Sequence, residues 1–252
     1  ELGALAPLAG YAKVATPDGV HLASQELVSE PALREASGDP EILEYTLYPS
    51  LYALTGVLFS LMHGYRYIAV GNERSANFGN AVHGGFPVNH QYEKSFAFES
   101  AFHAYCRRYL APEIHYFSGL MHLWEIQIVE RFARHPKYFP VLLSCNKPVA
   151  QSWCRRCPKC AVTYLLLSAF VDPAEVQAIF GEELFARAEL EPAFQAILGV
   201  VGDKPLECVC TPEEAVLAAR RAAQRITAAG APLPGLLARA LAGTAAVVID
   251  EA

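Results

Sequence analysis

Apolar positions along the chain follow two styles, and the change falls near residue 180. Before it, dense apolar runs alternate with glycine, proline and polar clusters, the pattern of an α/β layer. Ile42 to Met62 is apolar and aromatic, interrupted at Pro49-Ser50. Ser50 is expected to cap a helix over Leu51–Met62, whose all-round apolar content implies burial between a sheet and another helix. Gly64 ends it, and Tyr67-Ile68-Ala69-Val70 reads as a short buried parallel strand. Phe96, Phe98, Phe102 and Tyr105 then mark an aromatic-faced helix that also carries Glu99. Next come a strand at Ile114–Ser118, a helix at Leu120–Phe132 with Ser118 near its cap, and a strand at Val141–Ser144. A buried helix at Ala161–Val171 follows, stopped by Asp172-Pro173, with Asp172 placed to cap the next one. From Phe180 onward an Ala/Leu/Glu/Arg pattern predicts helices at 182–199 and Pro212–Ala228. The second has Thr211 as N-cap and Glu214 completing a capping box. Residues 1–40 read as irregular connections, with a short element at Tyr11–Ala15 before the turn Pro17-Asp18-Gly19. The end of the chain, past Pro232 and Pro234, reads as a short helical appendix. The expected class is α/β, a mostly parallel sheet with flanking helices over 1–180 and a helical extension over 181–252.

Four cysteines change that picture. Cys145, Cys154, Cys157 and Cys160 form a C-x8-C-x2-C-x2-C pattern within one short stretch. Each C-x2-C step lets a tight turn aim two sulfurs at one point, and the longer spacer lets Cys145 swing in as the fourth. Four thiolates and no open position make a closed, structural zinc site, so the chemistry must be sought elsewhere. The bland alternative is a set of buried thiols or a disulfide pair. Cys208 and Cys210, with a single residue between them, suit neither C-x-x-C redox chemistry nor the same cage.

The chain has 252 residues, 53% hydrophobic, with a formal charge of −6. That suffices for one large domain or somewhat more. The acidic balance argues against a nucleic-acid surface, which needs a basic face. An odd total of seven cysteines, four of them in a metal-like cluster, fits a reducing compartment rather than a disulfide framework. No signal peptide or membrane-length apolar run is evident. Glu1 rather than Met stands first, which fits a start partway through a longer protein.

Two polar clusters mark candidate chemistry. Gly71-Asn72-Glu73-Arg74-Ser75 follows the Val70 strand, where open α/β sheets place ligands. After a glycine-rich loop comes Val88-Asn89-His90-Gln91-Tyr92-Glu93-Lys94-Ser95. Arg74 and Lys94 suit phosphates or carboxylates, His90 and Glu93 suit acid/base work, and Asn72 and Asn89 suit orienting a substrate. Glu73 joins the catalytic candidates, and Ser75 and Gln91 the binding ones. The bland reading of either cluster is a solvated loop with helix caps.

These two clusters, together with Ser144-Cys145-Asn146, Trp153-Cys154…Cys157-Pro158-Lys159-Cys160 and Lys204-Pro205-Leu206-Glu207-Cys208, resemble the UDP-N-acetylmuramoyl-L-alanyl-L-glutamate epimerase family. The likeness runs from about Ile42 to about Ala223. The cysteine spacing is also similar to that of the cyano-deazaguanine synthase of queuosine biosynthesis, in the ATP-pyrophosphatase superfamily. The resemblance implies an adenine nucleotide alpha-hydrolase-like fold and a cytoplasmic cell-wall enzyme. Such an enzyme inverts the terminal L-Glu of the UDP-muramoyl dipeptide using ATP and magnesium, with no nucleic-acid or membrane partner. One feature departs from it. The superfamily's S-G-G-K-D-S phosphate loop is missing, and the one adjacent glycine pair, Gly84-Gly85, runs into Phe86-Pro87. The expectation is therefore the carboxyl-terminal part of a longer enzyme, or a chain that has lost or delegated ATP binding. Two other classes compete: an ATP-pyrophosphatase-like ligase or synthase acting on a carboxylate, and a non-catalytic zinc-stapled subunit.

Overall fold

Helix caps and glycine turns place most of the elements in the computed structural model, which describes residues 11–16, 19–24, 48–79, 81–150, 152–202, 204–205, 207 and 210–244. The chain divides into two units, one holding residues 73–91 and 120–252, the other 2–72 and 92–119.

In the second unit, β1 (Tyr11–Thr16) and β2 (Gly19–Ser24) form an antiparallel ladder running from Tyr11↔Ser24 to Thr16↔Gly19. Helix α1 spans Tyr48–His63 and leads into β3 (Tyr67–Val70). Helix α2 (Phe96–Tyr105) then precedes β6 (His115–Ser118), which pairs parallel with β3 from Tyr67↔His115 to Val70↔Ser118. A helix between two parallel strands is the βαβ crossover, which the strand–helix–strand order predicts. Ser95 caps α2, its hydroxyl accepting from the Phe98 N–H at 3.2 Å. The core joins Ala53 and Val57 of α1 with Phe102, Cys106, Ile114 and Tyr116, against half-buried Ile68 and Val70. Gly56 permits this approach, since a Cβ there would already touch Ile68 at 3.4 Å. The predicted Ser50 cap is corrected. The helix already runs from Tyr48, three residues before Leu51, so Ser50 lies in its first turn and donates instead to the Glu93 carboxylate.

The first unit opens with a hairpin of β4 (Ala81–His83) and β5 (Phe86–Val88). Its reversal at Gly84 and Gly85 has φ of 57° and 83°, the paired left-handed conformation that a two-residue hairpin turn demands of glycine. The glycine pair is therefore spent on a turn. Five helices complete the unit after α3 (Glu125–Phe132): α4 (Pro158–Ser168), α5 (Pro173–Phe180), α6 (Glu191–Ile197), α7 (Pro212–Ala228) and α8 (Gly235–Ala242). Helix α4 is apolar on every side and packs against α3, α5, α6 and α7. A helix with no polar face belongs at the centre of a core. Asp172 caps α5 through the Ala174 N–H at 2.9 Å, and Thr211 with Glu214 forms the predicted capping box of α7.

Several expectations are corrected. One mostly parallel sheet was expected, but among the described residues there are three two-stranded ladders, and β3–β6 is the parallel one. Val141–Ser144 is no strand: Val141 closes a 3-10 turn over Pro136–Val141, and the Leu142 N–H is taken by the Phe139 carbonyl at 3.2 Å rather than by a neighbouring strand. The helix expected at 182–199 is two 3-10 turns, Leu184–Ala186 and Ala188–Leu190, followed by α6, which Pro192 opens. The helix expected from Leu120 starts only at Glu125. No described helix is long and apolar enough to cross a membrane.

Candidate functional site

In the four-cysteine stretch, Trp153 is buried and stacks on Phe180 with ring centroids 4.2 Å apart, fixing one end of the loop. Arg155 turns the chain with φ of 60°, in the left-handed region, and its Nε donates to the Phe180 carbonyl at 2.7 Å. Cys157 then stands at the N-cap of α4, Pro158 occupies the first turn where no N–H is needed, and Cys160 follows on that turn. All four sulfurs lie within 4.8 Å of one another. Measured pairs are 3.9 Å for Cys145–Cys157, 3.7 Å for Cys154–Cys160 and 3.5 Å for Cys157–Cys160. Four Zn–S bonds of about 2.3 Å in a tetrahedron put the sulfurs about 3.8 Å apart, so the donor set fits zinc in both chemistry and spacing. The Cys157 thiol is held below its ordinary value, first by its hydrogen bond with Cys160, the direction that favours a metal ligand. The Cys154 N–H points at the Cys145 sulfur at 3.4 Å, the kind of outer contact that orients a metal thiolate. The cluster can hold a metal ion such as zinc.

Glu207 fastens this loop from outside. Its carboxylate accepts from the Lys159 N–H at 3.0 Å, in the first turn of α4, and from the Asn146 amide at 3.2 Å. Burial, and then the charge of Cys157, push the Glu207 carboxyl up. Lys159 itself sends its ammonium to Glu125 at 3.5 Å, with both side chains mostly buried. Around the fully buried Cys210, the charges of Glu125, Glu214, Lys204 and Lys159 converge, and burial pushes that thiol well up. Cys208 lies outside the described residues.

The Gly71–Ser75 loop reaches this cluster through Ser75, which is buried. Its hydroxyl donates to Glu214 Oε2 at 2.7 Å and accepts from the Glu125 N–H at 3.1 Å. Glu214 also accepts from Ile126 N at 3.0 Å and Thr211 N at 2.9 Å. Burial raises its carboxyl, offset by these bonds. The late start of α3 now has a physical reason. Its first N–H groups are satisfied by Ser75 and Glu214, remote in sequence, and Gln127 reaches back to the Trp124 N–H at 3.1 Å. Arg74 is exposed, its guanidinium 4.7 Å from the centre of the Trp124 ring, and Trp124 stacks on Phe78 at 5.3 Å.

Among the other predicted site residues, Glu73 is half-buried and His90 exposed, both in this unit. Asn89 donates to the Ala76 carbonyl at 2.8 Å and accepts from the Gln91 N–H at 2.9 Å. Gln91 is buried, and its Oε1 meets no hydrogen-bond donor among the described residues. Asn72, Glu93 and Lys94 belong to the other unit. There Asn72 bonds the Tyr116 hydroxyl through its side chain, and its carbonyl accepts from Ser118 Oγ at 2.5 Å. Glu125, Lys159, Lys204, Glu207 and Glu214 had no site role in the sequence pattern. Lys159 between two metal ligands, and a charged Lys204-Pro205-Leu206-Glu207 run beside cysteines, were the signals available for three of them.

Residues 49–119 match the MurL N-terminal domain and residues 141–250 the MurL C-terminal domain. The chain belongs to the UDP-N-acetylmuramoyl-L-alanyl-L-glutamate epimerase family. Among curated members, the UDP-N-acetyl-alpha-D-muramoyl-L-alanyl-L-glutamate epimerase of Xanthomonas oryzae pv. oryzae is 36% identical over 65% of this chain and 39% of its own length. The proteins of that name from Salinispora tropica and a Micromonospora species are 34% and 33% identical, over 67% and 78% of this chain and 38% and 45% of their own. The chain thus spans about two fifths of the length of these MurL relatives. No solved structure matches it. Ser75 lies in the stretch matching the MurL N-terminal domain and Glu214 in the one matching the C-terminal domain, so their bond joins the two matched stretches inside one unit.

Proposed function

We propose that this chain carries part of the machinery that converts the terminal L-Glu of UDP-N-acetylmuramoyl-L-alanyl-L-glutamate to D-Glu, consuming ATP with magnesium. The observation that carries the reading is the match to curated epimerases at 33% to 36% identity, spanning both matched domains. The physical case for activation is direct. A proton alpha to a carboxylate is too weakly acidic to leave at neutral pH, because the carbanion forms beside an existing negative charge. Transfer of AMP from ATP to the glutamate α-carboxylate, with loss of pyrophosphate, removes that charge and offers a carbonyl to delocalise the carbanion. Removal of the α-proton by a base and return of a proton to the opposite face invert the centre. Water then cleaves the acyl-adenylate to D-Glu and AMP.

Arg74 and Lys94 are the proposed anion-binding side chains, for phosphates or substrate carboxylates. His90, Glu93 and Glu73 are the acid/base candidates, and Asn72, Asn89, Ser75 and Gln91 the supporting polar groups. When bound, zinc at Cys145, Cys154, Cys157 and Cys160 supplies structure rather than a reacting centre. The proposed setting is the cytoplasm, where cysteines stay reduced.

The test is an assay with ATP and the UDP-muramoyl dipeptide, reading AMP release and D-Glu together. Epimerisation returns an inverted substrate of unchanged composition. Incorporated nitrogen, or AMP release without D-Glu, overturns the reading. In the active enzyme, His90→Ala and Glu93→Gln are followed by deuterium entering the α-position from solvent. A loss on the order of a hundredfold is expected for a residue that carries the proton. Exchange at the wild-type rate removes that residue from the mechanism.

A further inference from the structure

Glu214 does more than its place in a capping box requires. At the third position of a helix a carboxylate can cap from the surface, yet this one is buried with donors from three separate segments. Oε2 takes Ser75 Oγ at 2.7 Å and Thr211 N at 2.9 Å, while Oε1 takes Ile126 N at 3.0 Å. All three partners are neutral donors. Burying an acid on neutral donors is costly unless the geometry it enforces is wanted.

What it enforces is the run of residues beginning at Ser75. Ser75 is pinned on Glu214 and on the Glu125 N–H, and Arg74, its neighbour, has its own N–H on the Leu123 carbonyl at 2.8 Å. The residues just before α3 and the loop before the hairpin are thereby held side by side. That register sets the Arg74 guanidinium over the Trp124 ring at 4.7 Å, and Trp124 rests on Phe78. The guanidinium rests over the ring and stays exposed, which suits planar, two-pronged binding of a carboxylate or phosphate.

We propose that Ser75 and Glu214 are positioning residues, a buried clamp that aims Arg74 at an anionic group of the substrate. This rests on the reading of Arg74 as a substrate-binding residue given above. Ser75 in this account touches Glu214 and α3 rather than the ligand. A glutamine at 214 cannot replace the acid. Whichever way its amide turns, its NH2 faces either Ile126 N or Thr211 N and leaves that donor without an acceptor.

The clean variant is Ser75→Ala, because it leaves Glu214 its two helix-capping bonds and the fold its core. In the active enzyme, Ser75→Ala is expected to raise KM for the UDP-muramoyl dipeptide on the order of tenfold with kcat nearly unchanged. Ser75→Thr, which keeps the hydroxyl, restores part of it. In an Arg74→Ala background the same change adds nothing further, because its effect runs through Arg74. A multiplicative loss in that background overturns the clamp, as does an unchanged KM. An independent readout needs no turnover. With Trp153→Phe making Trp124 the sole reporter, Ser75→Ala shifts Trp124 emission and its quenching by iodide if the stack loosens. Identical emission overturns the clamp. A wild-type KM in Arg74→Ala alone overturns the substrate role of Arg74, and the emission result then decides the clamp by itself.

Discussion

Tyr116 shows how much one side chain's surroundings alter its chemistry. It is 3% exposed in the core beside β3, with its hydroxyl on the Asn72 side chain. Burial first, and the charge of Glu99 second, push the phenol up from 10.0 to about 12. The folded chain therefore holds this proton more tightly than the unfolded chain does. Its stabilising contribution is complete below about pH 10 and is lost as the pH rises through about 12. That tighter hold is worth about 2.7 kcal/mol at most. Urea midpoints followed through this alkaline window are expected to fall more steeply for the wild type than for Tyr116→Phe. Parallel curves would show that the phenol titrates normally. At the same scale, Gly181 closes α5 with φ of 79°, and an added Cβ would sit 3.2 Å from the Arg155 guanidinium. Gly181→Ala is expected to cost about 1 kcal/mol or somewhat more, read as a lower Tm.

Helix α4 and the cysteine loop stand or fall together. The loop ends on the helix's N-cap, and Glu207 caps the next N–H. In the chain loaded with zinc, a chelator is expected to free Trp153 from Phe180, red-shifting its emission, and to lower far-ultraviolet helicity modestly. Cys157→Ser should do the same without chelator and lower the zinc taken up per chain on loading. Emission unchanged while the ion departs would show that packing alone holds the loop. The elements differ in how legible they were, for physical reasons. Helix α7 carries its own start signal, Thr211 with Glu214, and α4 announces itself by a dense apolar run. The start of α3 was illegible because its caps, Ser75 and Glu214, are distant in sequence. Over 182–199 the composition favours helix, but Gly181 and the proline opening α6 divide the segment into short turns. The cysteine cluster was legible in full because its ligands are local. The Lys159–Glu125 pair and the Glu214 hub were not, because tertiary packing alone brings those residues together.

For the molecule as a whole, the two cores have no residue in common. Leu165, fully buried at the centre of the larger one, is a sensitive probe of it. Leu165→Ala is expected to cost about 2–5 kcal/mol, with amide exchange rising through α3 to α8. A loss under about 1 kcal/mol would mean that the site collapses to fill the gap. The α/β class was legible from strand and helix runs, whereas the number of strands sharing a sheet was not. Short apolar runs name a strand without naming its neighbours.

The four cysteines fall within sixteen residues of the chain, while Glu207, whose carboxylate fastens their loop, comes much later in the order of synthesis. A growing chain therefore completes the set of four cysteines before Glu207 has been made. An ion taken up by the four sulfurs would thus be held at first without the Glu207 bonds, which tie the loop to α4 only once that later segment arrives.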